Sequence, residues 1–158
     1  MRLILCILLF GVLGCSSTKQ PSKTLKKEEI VFSTISKGTL FGNGIEGILE
    51  EKFTIKNEKQ WQVFLNKINS VNNVSSSFSE ININFSNHII ICVFDTIRNT
   101  GGYGIEIESV FVEKKNLNIV YTKKEPGPME IVTTIITQPY HIVKIEKRGE
   151  DHKFINKN

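Results

Sequence analysis

"HIIICVFD", His88 to Asp95, is the stretch on which the fold turns. Six apolar residues follow one another between the histidine and the aspartate, and most of them are β-branched. Successive side chains of a strand point to opposite faces, so a strand with one wet face would alternate. An unbroken run is the pattern of a strand covered on both faces. Cys92 sits inside it, where a thiol behaves as a small buried hydrophobe rather than a nucleophile.

Downstream, Thr100-Gly101-Gly102-Tyr103 forms a corner before a segment of a different type. From Tyr103 to Glu113, Ile105, Ile107 and Ser109 alternate with Glu106 and Glu108, the signature of a half-buried strand. Lys114 to Asn116 is a tight reversal into another strand, Leu117 to Lys123. After the turn Glu125-Pro126-Gly127-Pro128, two further strands are expected at Ile131–Thr137 and His141–Lys147. Gln138-Pro139-Tyr140 separates them, and Pro139 marks a bulge or a strand start because it donates no ladder hydrogen bond. Arg148 to Asn158 is polar and is expected to fray.

Upstream, Ser70 to Glu80 is a polar loop, and before it lies one amphipathic helix. Trp61, Phe64, Leu65 and Ile68 fall at i, i+3, i+4 and i+7, a single apolar stripe. Asn57 can cap it, with Gln60 at the third helical position as capping-box partner. Trp61 is most simply the core anchor of that helix. Strands are expected at Ile30–Ser36 and Ile48–Ile55, joined by the Gly-rich loop Lys37–Gly47. The connections after Asp95 are short, which favours antiparallel neighbours. The expected fold class is α+β and β-rich: a single antiparallel curved sheet or half-barrel with the one amphipathic helix packed on it.

The N-terminus is built differently. Arg2 precedes the uncharged apolar region Leu3–Leu13, which is too short to span a bilayer comfortably and ends in Val12-Leu13-Gly14-Cys15. This resembles the bacterial lipoprotein box. It implies a signal peptide at 1–14, cleavage before Cys15, and lipidation of Cys15 with diacylglyceryl and palmitate-type acyl chains. Each buried CH₂ of such chains contributes about 0.8 kcal/mol to membrane attachment. Residues 15–29 form the lipidated cysteine and a flexible tether, too polar to fold alone. The folded domain is expected at 30–148 and a polar tail at 149–158. The expected location is the bacterial cell envelope, lipid-anchored at the outer membrane on its periplasmic or surface face.

Chemistry is sparse. His88, His141 and His152 have no cysteine or carboxylate at ligand spacing, so no metal and no cofactor is expected. No Gly-x-Ser-x-Gly elbow and no Cys-His pairing occur, and the Gly-Gly-Tyr-Gly corner lacks the Lys-Ser/Thr of a phosphate loop. The net charge of +4 is spread over Lys mixed with Glu, which argues against nucleic acid. With no catalytic residue to name, the chain reads as a non-enzyme whose loops carry its function.

Three motifs in order, Thr100-Gly101-Gly102-Tyr103-Gly104-Ile105-Glu106-Ile107, Glu125-Pro126-Gly127-Pro128 and Thr137-Gln138-Pro139-Tyr140-His141-Ile142-Val143, resemble the PrcB family, over roughly Trp61 to Lys147. That family takes its name from a lipoprotein subunit of a spirochaete surface protease complex. A proline often precedes the Thr of its corner; here Asn99 stands there. The resemblance implies a membrane-anchored, exported, non-catalytic accessory or protein-binding domain, a subunit or stabiliser of a secreted protease complex. Its expected partners are the membrane, through the lipid on Cys15, and a protein, a secreted protease foremost. The expected contact loop comprises Arg98, Asn99, Thr100, Gly101, Gly102 and Tyr103, with Pro126, Gly127 and Pro128 (and Met129 beside them) as a second loop. The corner also loosely resembles the "Asn-Pro-Thr-Thr-Gly" loop of chagasin-type inhibitors, so a protease inhibitor presenting the Thr-Gly-Gly-Tyr loop is the alternative. A simple strand-linking turn, with glycines at positive φ, is the structural alternative for the same corner.

Overall fold

The computed structural model describes residues 27–158. The elements run β1 (Glu28–Ile30), β2 (Phe32–Leu40), β3 (Lys52–Ile55), α1 (Glu58–Ile68), β4 (His88–Phe94), β5 (Gly104–Glu113), β6 (Asn116–Lys124), β7 (Gln138–Glu146) and β8 (Asp151–Asn156), with a 3₁₀ turn at Val74–Ser77. The helix begins as its sequence requires: Gln60 N donates to Asn57 Oδ1 at 3.0 Å, and Lys56 N donates to Gln60 Oε1 at 2.8 Å. All four residues of the apolar stripe are buried. Trp61 is fully buried, and its indole N–H donates to Ile81 O at 2.8 Å, which satisfies its one polar atom.

The strands form two four-stranded sheets, β1-β5-β6-β8 and β2-β7-β4-β3, rather than a single curved sheet or half-barrel. Three layers result: α1, the β2-β7-β4-β3 sheet, and the β1-β5-β6-β8 sheet. β4 lies inside the middle layer. Ile90, Cys92 and Phe94 pack with Trp61, Phe64 and Ile68 in the core under the helix. Ile89, Ile91 and Val93 pack with Ile105, Ile107, Leu117 and Ile119 in the core between the sheets. The unbroken apolar run is thus covered on both faces, by a helix on one and by a second sheet on the other. Burial in this double core pushes the Cys92 thiol well up, so it stays protonated and inert.

Other boundaries also differ from the sequence reading. The segment expected as one strand at Ile30–Ser36 changes sheet at Val31, which is exposed between β1 and β2. β2 then continues through Gly38 to Leu40, into the expected loop, because it pairs with β7 from Phe32–Ile145 to Leu40–Gln138. Ile131–Thr137 is not a strand. β2 and β4 flank β7 only from Gln138 onward, leaving 131–136 without a ladder partner; Thr137 makes one bridge, to Arg98. Gln138-Pro139-Tyr140 instead opens β7. The polar tail does not fray: Asp151–Asn156 forms β8, paired parallel to β6.

Candidate functional site

Three connections leave the sheets at one end. Leu40 faces Gln138, Lys52 faces Val93, Phe94 faces Tyr140 and Gly104 faces Lys124. The segments 41–51, 95–103 and 125–137 therefore gather at the same end of the molecule. The sequence-derived candidates lie in the second and third of these.

A chain of charges ties their roots together. The Asp95 carboxylate is fully buried; Oδ2 accepts from Arg98 Nε at 3.1 Å and Nη2 at 2.9 Å, and Lys123 Nζ lies 2.7 Å from Oδ1. Lys123 Nζ also reaches Glu50 Oε1 at 2.5 Å, and Glu50 pairs with Lys52 at 3.1 Å. Burial opposes the charge on Lys123, but its hydrogen bonds to Asp95 and Glu50 outweigh that and raise its pKa. Donation from Lys123, then Lys52, holds the Glu50 carboxyl below its ordinary value. Neutral bonds complete the frame: Gln138 Nε2 donates to Ile48 O at 2.8 Å and Asp95 O at 3.0 Å.

The expected contact residues divide under this geometry. Arg98 is a strut: it grips Asp95 and covers the Tyr103 ring, its guanidinium carbon 4.3 Å from the ring centroid. Thr100 is tied through its carbonyl to Thr137 Oγ1 at 2.7 Å, and Gly101 N donates to Thr133 O at 2.9 Å. Gly102 stands at φ +88, where a Cβ would come 2.8 Å from Val132 Cγ1 and 2.9 Å from Pro126 Cβ. The corner thus closes onto the third connection through Pro126. Asn99, Gly102, Gly127 and Pro128 face solvent.

The corner's geometry gives a direct prediction. Gly102→Ala combines a strained backbone with two close carbon contacts and should lower unfolding free energy by about 1–3 kcal/mol. Gly101→Ala meets chiefly the hydroxyl of Thr133, which can rotate away, and should cost less. Urea titrations of the two variants check the order.

Apart from Met129, sequence reasoning missed the apolar part of this end. Phe41, Ile45 and Leu49 on the first connection are 58%, 74% and 72% exposed, Ile97 on the second is 40%, and Met129 and Ile131 on the third are 95% and 99%. A run rich in β-branched residues, "MEIVTTII", reads as a strand when its lack of ladder partners cannot be seen. The Gly-rich composition of 37–47 drew attention to its turns and away from Phe41 and Ile45.

Chain entry lies at the other end. Glu28 faces Val112, next to the β5–β6 turn, and Lys27 stacks on Phe111 at 4.1 Å. The expected signal peptide at 1–14, Cys15 and the tether as far as residue 26 lie outside the described residues; the end of the expected tether is not loose, since Glu28 and Glu29 pair with Val112 and Phe111 in β1. Among the described residues no group of three or more His, Cys, Asp or Glu is placed to hold a metal, and no helix is long and apolar enough to cross a membrane.

One family model, described as PrcB C-terminal, matches residues 89–146. The match takes in nearly all of β4, then β5, β6 and β7, with both connections 95–103 and 125–137; it excludes α1, which the sequence resemblance had included from Trp61. No curated protein and no solved structure matches the chain.

Proposed function

From the match of residues 89–146 to the PrcB C-terminal family, we propose a membrane-anchored, exported, non-catalytic accessory domain that binds a protein within a secreted protease complex. The observation that carries this reading is the loop end. Large apolar side chains from three separate connections stand in solvent there, above an ionic frame centred on the buried Asp95 carboxylate. Exposed apolar surface on a fixed scaffold marks protein contact. The proposed contact needs no catalytic group.

Anchoring through Cys15 suits this arrangement. The described chain enters the fold beside Val112, at the end remote from the loops. A lipid on Cys15 would then let the apolar loops face away from the bilayer.

The test is affinity capture of the full lipidated chain from detergent-solubilised envelope. A stoichiometric secreted protease should co-purify. Met129→Asp with Ile131→Asp, at positions almost wholly exposed, should abolish that recovery while changing unfolding free energy by less than about 0.5 kcal/mol. Recovery unchanged by both substitutions would overturn the loop-end assignment. Nanomolar inhibition of papain-like enzymes by the full chain, lost on Gly101→Val, would move the inhibitor reading ahead.

A further inference from the structure

The β2-β7-β4-β3 sheet has two edges, and they are treated differently. Along β2, Ser79 covers the edge: its N–H donates to Ile35 O and its hydroxyl to Thr34 O, each at 3.0 Å. Along β3 no described residue bonds the outward backbone in this way; His152 Nδ1 lies 3.1 Å from Thr54 Oγ1, a contact to the side chain alone. The phase of the ladder identifies the free groups. Phe94 N donates to Glu51 O at 2.9 Å, so 51–94 is a hydrogen-bonded pair. In an antiparallel ladder such pairs alternate, which turns the backbone of Phe53 and Ile55 toward β4 and that of Lys52 and Thr54 outward. Lys56 N is taken by Gln60, which closes the row. Lys52 and Thr54 thus present two N–H and two C=O groups, a template for one more short strand.

That open edge borders a groove of about 390 Å³ between β3 and α1. Its apolar wall includes Phe53, Ile55 and Phe64, and Val63 stands on its helix side, 62% exposed. Lys59 and Lys67 line the same side, so the helix offers the groove a row Lys59–Val63–Lys67 at i, i+4 and i+8. Of the lining residues Glu51 alone is acidic, and Lys67 lies 3.7 Å from it. Residues four apart on a helix are separated by about 6 Å, and alternate residues on a strand by about 6.7 Å. A strand laid beside β3 therefore keeps step with the helix row.

We infer that this groove binds an extended segment of a partner polypeptide by β-strand addition, with the pattern acidic-x-apolar-x-acidic. The apolar residue sits over Val63 and Phe64, the two carboxylates reach Lys59 and Lys67, and the intervening backbone bonds Lys52 and Thr54. Charge complementarity selects the partner: a basic segment would meet two lysines at the spacing where the acidic one finds counter-charges. The groove adjoins the first connection through Ile48 and Glu51 but uses none of the exposed apolar residues of the loop end, and it stands whether or not that end binds a protease.

The test uses the full chain and a labelled heptapeptide, Thr-Glu-Thr-Leu-Thr-Glu-Thr, with a second peptide carrying Lys for both Glu. Fluorescence anisotropy should show the acidic peptide binding at least tenfold more tightly than the basic one. Amide exchange at saturation should slow at least tenfold at Lys52 and Thr54 and stay unchanged at Phe53 and Ile55, which already face β4. Val63→Glu, at an exposed position, should weaken the acidic peptide at least tenfold, and Lys59→Glu with Lys67→Glu should reverse the preference between the peptides. Equal binding of both peptides, unchanged exchange at Lys52 and Thr54, or a preference that survives charge reversal would overturn the proposal. So would protection of the same two amides by self-association alone, seen as a concentration-dependent dimer in sedimentation, since that would assign the edge to a second copy.

Discussion

Asp95→Ala should lower the unfolding free energy by about 3–5 kcal/mol, among the largest losses available to a single substitution here. The cost does not come from the methylene lost. Asp95 is fully buried and neutralises two cations, Arg98 and Lys123, whose side chains are only 22% and 18% exposed. Without it those charges remain poorly hydrated, with Glu50 alone on one side and Glu125, 4.0 Å from Arg98, on the other. Native domains hold roughly 5–15 kcal/mol in reserve, so the variant should unfold at markedly lower urea with its m-value unchanged. Asp95→Asn retains an acceptor for Arg98 and should cost less. Amide exchange should show where the loss is felt: Arg98 N and Thr137 N, which bond across the second and third connections at 2.7 Å and 2.9 Å, should exchange faster. A loss confined to global unfolding, with those two amides unmoved, would mean that Asp95 serves the core and not the loop frame.

Much of this site's support, and little of its surface, was legible in the sequence. Local rules located α1, because a cap and an apolar stripe are written within one dozen residues, and they located the β5–β6 reversal at Lys114 and Lys115, both at positive φ. The double burial of β4 was also legible from its unbroken run. What covers its second face was not. The alternation in β5 says that one face is buried, but equal alternation arises whether the strand extends the sheet of β4 or lies across it. That choice rests on long-range pairing, such as Leu40 with Gln138, which no local pattern encodes. β8 illustrates the same limit. Its burial is shallow, Phe154 alone packs against the core, and parallel pairing to β6 came from a segment with no hydrophobic run. Arg98 was singled out as a contact residue on its position in a distinctive loop. Only the buried carboxylate three residues earlier shows that its charge is already taken.

His141 leads to the second large effect, an acid lability centred on a buried imidazole. The side chain is 2% exposed and lies between the sheets at two irregularities of their ladders. The β5 register shifts between Ile107 and Ser109, and there Ile107 N donates to His141 Nδ1 at 2.9 Å. The β2 register shifts between Thr34 and Ser36, and there His141 Nε2 lies 3.0 Å from Thr34 Oγ1. Because Nδ1 accepts from a backbone amide, the neutral ring carries its proton on Nε2 and donates to Thr34. Protonation would place a second N–H against the Ile107 amide. Burial, then the nearby Lys37 charge, pushes the His141 pKa down from 6.5 to about 4, against a smaller upward pull from Glu106. The unfolded chain therefore binds a proton between pH 6.5 and 4 that the folded chain refuses. Stability is fully present above the unfolded value and falls with pH through that window, by about 3 kcal/mol in all. His152, whose pKa burial also lowers, adds in the same direction. Urea unfolding at intervals from pH 7.5 to 4 should show this decline. His141→Gln, which can still accept from Ile107, should be weaker at pH 7.5 yet lose most of the slope, while His152→Gln should keep it. A His141→Gln variant with the full decline would place the lability in other groups. The family-matched strand that carries Pro139 and Tyr140 carries this histidine too, and its physical use is as a staple between the sheets, pairing the Ile107 amide at the β5 irregularity and the Thr34 hydroxyl at the β2 one.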